Sequence, residues 1–255
     1  MGKNKLKKFA EMQEFERVYQ YPFGRLQAEG FPLLGKWHEE VFDNHNPITL
    51  ELGCGKGEYT VELARRFPER NFIGIDIKGA RIYTGAKHVN EENIANAAFL
   101  RTDIELLPQF FAPEEIDEIW ITFPDPQMKK TRRRLTSTRF LDIYRKIGRP
   151  GVLVNLKTDS PFLFEYTRRL VELNGLECIA CSADLYSEPE GKLPDSLTSI
   201  RTFYEQQWLA RGKKIKYIAF RLPSLNSVLQ EPKEDDIEKD DYRAYPRGTV
   251  APVNS

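Results

Sequence analysis

Cysteine, histidine, methionine and tryptophan are scarce in this chain of 255 residues, with three of each. Three cysteines (Cys54, Cys178 and Cys181) cannot build a disulfide framework. Cys178 and Cys181 stand in a C-x-x-C, but no second pair or neighbouring histidine completes a metal ligand set. The run from Leu176 to Cys181 reads instead as a buried strand that uses cysteine as a small apolar residue. His38, His45 and His88 have no surroundings that suit a general base and read as surface residues. No apolar run approaches the ~18 residues that would span a membrane. The basic N-terminus lacks the apolar stretch of a signal peptide, and Leu6 breaks the N-myristoylation pattern. These absences predict a cytoplasmic protein that uses neither a membrane nor a metal.

Net charge is absent too, with 38 basic against 38 acidic side chains. The sum hides a segregation. Lys3, Lys5, Lys7 and Lys8 open the chain without an acid. Lys129, Lys130, Arg132, Arg133, Arg134 and Arg139 form a second basic run, again without an acid. Against them, residues 231–241 hold Glu231, Glu234, Asp235, Asp236, Glu238, Asp240 and Asp241, with only Lys233 and Lys239 interspersed. Neutrality is therefore a cancellation, and it does not exclude a polyanionic partner.

Hydrophobic residues make up 40% of the chain and aromatics 12%, which excludes disorder throughout. Residues 1–46 read as a basic, aromatic extension with some helix; Tyr19, Tyr21, Phe23, Phe31 and Trp37 fall there. From 47 to 223, strands expected near 48–52, 72–77, 97–100, 116–122, 152–156, 176–180 and 215–221 alternate with amphipathic helices. The pattern predicts an α/β fold: a Rossmann-like, seven-stranded, mostly parallel sheet whose last strand is antiparallel, with helices on both faces. Residues 224–255 turn polar and acidic and read as a disordered, solvating tail.

Four motifs carry chemistry. Glu51-Leu-Gly53-Cys-Gly55-Lys-Gly57 follows the first predicted strand and opens a helix. Its glycines permit a tight turn and a close ligand approach, although it is neither G-x-G-x-x-G nor a phosphate-binding loop. Asp76 follows at the end of the next strand, where a carboxylate can accept from both hydroxyls of a ribose. The E-x-G-x-G-x-G form is similar to that of class I S-adenosylmethionine (AdoMet) methyltransferases. Asp103, ending the third strand, suits an adenine amino group or a helix cap. Beyond the fourth strand, Phe123-Pro-Asp125-Pro126 places one carboxylate between two prolines, directly before the basic run. Lys157-Thr-Asp159 and Thr202-Phe-Tyr-Glu205 close the set; the latter also fits a helix capping box, and Asp159 a helix N-cap.

These four motifs, in this order over roughly residues 45–222, resemble the bacterial tRNA (guanine(46)-N7)-methyltransferase family, which methylates a variable-loop guanine. The resemblance implies AdoMet as cofactor, tRNA as partner, and AdoMet contacts by Glu51, Gly53, Gly55, Gly57, Asp76, Asp103 and Asp125. It implies substrate contacts by Lys129, Asp159, Thr202, Phe203, Tyr204 and Glu205. The chain departs from the family in three places. Gln127 replaces a tryptophan, the basic segment is shorter and lacks a histidine, and Asp76 stands where Glu is common.

Guanine N7 carries an in-plane lone pair, so alignment rather than deprotonation is the main catalytic task. Asp125 is the expected catalytic residue, stabilising the charge that develops on the purine. Lys130, Arg132, Arg133 and Arg134 are expected on the tRNA backbone, together with the N-terminal lysines and Arg25. The alternatives are an AdoMet enzyme with another RNA or small-molecule substrate, and a noncatalytic RNA-binding protein. Nothing in the sequence chooses between monomer and homodimer.

Overall fold

The structure is a computed structural model and describes residues 7, 8 and 10–242. Its elements, in chain order, are β1 (Val18–Gln20), α1 (Phe23–Glu29), a π-helical turn (Trp37–Phe42), β2 (Ile48–Leu52), α2 (Glu58–Arg66), β3 (Asn71–Ile75), α3 (Gly79–Glu91), β4 (Ala97–Arg101) and β5 (Ile116–Thr122). There follow α4 (Thr138–Ile147), β6 (Gly148–Thr158), α5 (Pro161–Leu173), β7 (Cys178–Ser182), the short α6 (Ser196–Ser199), α7 (Phe203–Ala210) and β8 (Lys216–Arg221). Short 3-10 turns fill several connections.

The eight strands form one sheet in the order β1-β4-β3-β2-β5-β6-β8-β7. All are parallel except β8, which runs antiparallel to both β6 and β7. The seven expected strands are present with the last one antiparallel, and β1 is an eighth. Only three residues long, β1 shows no alternation of its own; it exists because the edge of β4 pairs it, Val18 opposite Phe99.

Alternation along each strand divides the core in two. Ile48, Leu50 and Leu52 of β2 face the cluster that α4 and α5 cover, with Phe140, Tyr144, Phe162 and Tyr166. Phe72, Phe99, Trp120 and Tyr217 face the other side, against Tyr59 and Leu63 of α2 and Ile82 and Ala86 of α3.

Two segments read as appendages are integral. Leu26, Phe31, Trp37, Val41 and Phe42 belong to the first core, and the Trp37 indole donates to the Phe110 carbonyl at 2.9 Å. The acidic segment, expected to be a disordered tail, packs along α5 as far as residue 242, with Ile237 buried. Its acids find cations and helix N-termini far away in the chain, and composition cannot register such partners. Residues 243–255 and the first six, with Lys3 and Lys5, lie outside the described residues. The C-x-x-C strand is also corrected. It is β7, at the sheet edge, and Cys178 and Cys181 are exposed free thiols because only β8 pairs with this strand.

Candidate active site

The strand order reverses between β2 and β5, and ligands of open α/β sheets bind beyond the carboxyl ends of such strands. The glycine loop leaves β2 at this point. Its Gly53 and Cys54 N–H groups donate to the Ile75 carbonyl at 2.8 and 2.9 Å, which stitches the loop to β3. Gly57 starts α2 at φ +70°, and a Cβ there would lie 2.5 Å from the Phe99 ring and 3.3 Å from Gly85 Cα. No other residue fits that position. A Cβ on Gly53, by contrast, would meet nothing within 4 Å, so the outer side of the loop is open to a ligand.

Asp76 is buried beside the loop, with Oδ2 accepting from Gly55 N–H at 3.1 Å and Oδ1 from Lys78 N–H at 2.7 Å. Asp103 is exposed at the end of β4 and caps the following turn through Glu105 N–H at 3.0 Å, the capping role the sequence allowed. Ile77, next to Asp76, is exposed and offers an apolar surface that sequence reading did not single out. An open glycine cradle, carboxylates on successive strand ends and an exposed aliphatic face fit a cationic adenosine derivative such as AdoMet.

Glu51 lies behind the cradle and is 3% exposed. Its Oε2 accepts from Thr60 N–H at 2.9 Å and Thr60 Oγ at 2.5 Å, and its Oε1 from Thr122 Oγ at 2.8 Å. Burial pushes its pKa up to about 7, against the pull of those hydrogen bonds.

The second wall of the site follows β5. Phe123 (φ +49°) and Gln127 (φ +48°) both adopt the left-handed region, a conformation that costs non-glycine residues of order 1 kcal/mol each. Phe123 N–H donates to the Lys157 carbonyl at 2.8 Å, tying the loop to β6. Between them Asp125 is exposed, its Oδ1 accepting from Gln127 N–H at 3.0 Å.

Lys129, Lys130, Arg132 and Arg133 lie on the outer surface and pair with no acid among the described residues. Arg134, expected on the tRNA backbone, departs from them. It is 0% exposed, donates to the Pro126 and Gln127 carbonyls at 3.0 and 3.3 Å, and pairs with Glu234 at 2.5 Å. Its guanidinium lies 3.9 Å from the Tyr166 ring centre. It is a brace, and the cationic face has four members.

Asp159 is buried at the end of β6, and Tyr242 donates to its Oδ2 at 2.8 Å. It does not cap α5; Ser160 does, accepting from Leu163 N–H at 2.9 Å. Thr202 caps α7 by accepting from Glu205 N–H at 3.3 Å. The box is not completed by the Glu205 side chain. That carboxylate is 0% exposed and accepts from Lys157 Nζ at 2.8 Å and from the Tyr186 hydroxyl at 2.8 Å, so it is unavailable to a substrate. Burial draws the Lys157 ammonium below the ordinary lysine range, against the opposing pull of Glu205. Phe203 is 45% exposed, with Lys56 Nζ 3.9 Å from its ring centre, and its N–H donates to Glu58 at 3.1 Å. Tyr204 is half-buried with its ring edge-on to Phe203. These contacts bring the start of α7 to the glycine loop.

The fold thus gathers the glycine loop, Asp76, Asp103, Asp125, Lys129, Thr202, Phe203 and Tyr204 on one edge. It withdraws Arg134, Glu205 and Asp159, the last expected to contact substrate but buried beneath Tyr242. Among the described residues no group of His, Cys, Asp and Glu could hold a metal ion, and no helix is long and apolar enough to cross a membrane.

A family model described as "Putative methyltransferase" matches residues 45–218. The chain is 57% identical over 238 residues to a tRNA (guanine-N(7)-)-methyltransferase of Porphyromonas gingivalis, covering 92% of this chain and 96% of that one. It is 53% identical to the protein of that name in Bacteroides thetaiotaomicron, over 97% of this chain and 96% of the other. Among solved structures, the 16S rRNA methyltransferase KamB superposes with a TM-score of 0.55 at 13% identity, over 81% of this chain and 99% of that chain. That likeness shows the fold, a Rossmann-like α/β sandwich.

Proposed function

The chain belongs to the bacterial tRNA (guanine-N7-)-methyltransferase family, and on that footing we propose that it methylates N7 of guanine 46 in the variable loop of cytoplasmic tRNA. One observation carries the reading. The exposed Asp125 stands at the C-terminal end of β5, beside the open glycine loop and directly before four cations that pair with no acid among the described residues. A site for a cationic adenosine derivative and a face for phosphates therefore share one edge.

When bound, AdoMet supplies an electrophilic methyl group on a sulfonium. Asp76 would accept from the ribose hydroxyls, the glycine loop would hold the ammonium end, and Asp103 would accept from the adenine amino group. The substrate guanine needs no base, because N7 attacks through its own lone pair. As positive charge develops on the purine, the Asp125 carboxylate accepts from the N1–H and exocyclic amino edge and stabilises it. Adenine lacks that pair of donors on the same edge, so the contact also selects guanine. Thr202 and Phe203 line the base pocket, while Lys129, Lys130, Arg132 and Arg133 track phosphates.

The test uses labelled AdoMet, unmodified tRNA, and the wild type beside Asp125→Ala. Label in 7-methylguanosine is expected with the wild type and a loss of about a hundredfold or more in the variant. A tRNA with guanine 46 replaced should accept no label. Label in any other nucleoside would refute the proposal.

A further inference from the structure

The acidic segment has a course too specific for a solubilising end. It runs antiparallel along α5, starting at its C-terminal end, where Gln230 N–H donates to Asn174 Oδ1 at 2.7 Å. Asp236 pairs with Arg169 midway at 2.7 Å. At the N-terminal end of α5, Asp240 accepts from the Ser160 hydroxyl at 2.5 Å and from Phe162 N–H at 3.1 Å. Glu231 does for α4 what Ser137 does not, accepting from Thr138 N–H at 2.9 Å. Both helix N-termini thus receive a carboxylate from this strap.

The same strap touches both substrate loops. Glu234 bridges Thr131 Oγ at 2.9 Å and Arg134 at 2.5 Å, and the Asp240 N–H approaches Met128 Sδ at 3.2 Å. Tyr242 donates to Asp159 and lies edge-on to Trp208. By contrast, the strap makes no ion pair with Lys129, Lys130, Arg132 or Arg133 among the described residues, so it does not mask the cationic face.

We infer that Glu234 is a positioning residue: through Arg134 it fixes the loop that carries Asp125, which makes the strap part of the transfer site. Arg134 is wholly buried, and the Pro126 and Gln127 carbonyls offer it only dipoles. The Glu234 carboxylate is the charge that keeps the guanidinium in place. Without it, Arg134 must seek water and withdraw from those carbonyls. Gln127 then relaxes from its left-handed conformation, and the N–H that orients Asp125 is lost. Asp125 would keep its identity and lose its direction.

The inference rests on the methyl-transfer reading, and its test separates the two. Initial rates are measured for full-length wild type, Glu234→Gln and Glu234→Asp, well below the melting temperature of each. Glu234→Gln should lower kcat about tenfold to a hundredfold while KM for tRNA stays within about threefold, since phosphate contacts are untouched. Glu234→Asp, which keeps the charge, should recover most of that loss. AdoMet affinity should be unchanged in both variants. Wild-type kcat in the Gln variant, whatever its melting temperature, would overturn the inference. Hydrogen exchange of residues 123–134 is read in parallel. Exchange about tenfold faster in Glu234→Gln supports the inference, and unchanged exchange overturns it. A wild type that forms no 7-methylguanosine would refute the proposed reaction instead, and exchange alone would then decide the role of Glu234.

Discussion

Replacing Glu51 by Gln should make the protein more stable at pH 8 and leave it nearly unchanged at pH 4.5. The buried carboxyl titrates at about 7 in the folded chain against an ordinary value of 4.5. Its folded pKa is raised, so between these values the native state holds a proton that the unfolded chain has released. Stability is then full below about pH 4.5, falls as pH rises through the window, and levels off above about 7. About two and a half pKa units, at roughly 1.4 kcal/mol each, amount to about 3 kcal/mol. In Glu51→Gln the amide would mimic the protonated acid, its carbonyl accepting from Thr60 and its NH2 donating to Thr122 Oγ, the same partners the carboxyl has. An amide cannot ionise, so the variant should skip the loss, a gain of roughly 6–12 °C in Tm at pH 8 for a domain of this size. The assay is thermal or urea denaturation of both proteins from pH 4.5 to 8.5, taking the difference so that other groups cancel. Parallel stability profiles would refute the reasoning, because the Glu51 environment would then not be raising its pKa.

Neutralising Lys129, Lys130, Arg132 and Arg133 together should weaken tRNA binding and flatten its log–log salt dependence by about three to four in slope, measured by filter binding. Arg134→Ala should leave that slope alone and lower Tm, because its guanidinium is buried against Tyr166. Glu205→Ala strands the buried Lys157 without its partner, and urea denaturation should show a loss of about 3–5 kcal/mol, with a smaller loss for Glu205→Gln.

The fold was largely legible because each strand and helix is long enough to display its own period. Strands at 48–52 and 116–122 and the helix at 161–173 stand at the expected positions. The glycine loop and Asp125 were legible for a related reason: their chemistry is local to one turn. Arg134 and Glu205 were misplaced because nothing nearby distinguishes them. Arg134 sits in a run of like cations, and its acid is 100 residues on. The Thr202 to Glu205 spacing fits a capping box, yet the carboxylate turns inward to Lys157, 48 positions earlier. Ile77 carried no signal, since an exposed isoleucine after a strand looks like its last buried residue.

By itself the sequence determined the order of elements, the parallel sheet, the glycine cradle and the family, because these depend on residues near one another or on motifs in fixed succession. Tertiary structure alone decided which charges remain available. Packing the acidic segment along α5 removed Arg134 from the cationic face and covered Asp159 with Tyr242. It left Lys129, Lys130, Arg132 and Arg133 beside Asp125 without an acid among the described residues. Charge pairing depends on distance in space, and the equal count of acids and bases along the chain conceals it.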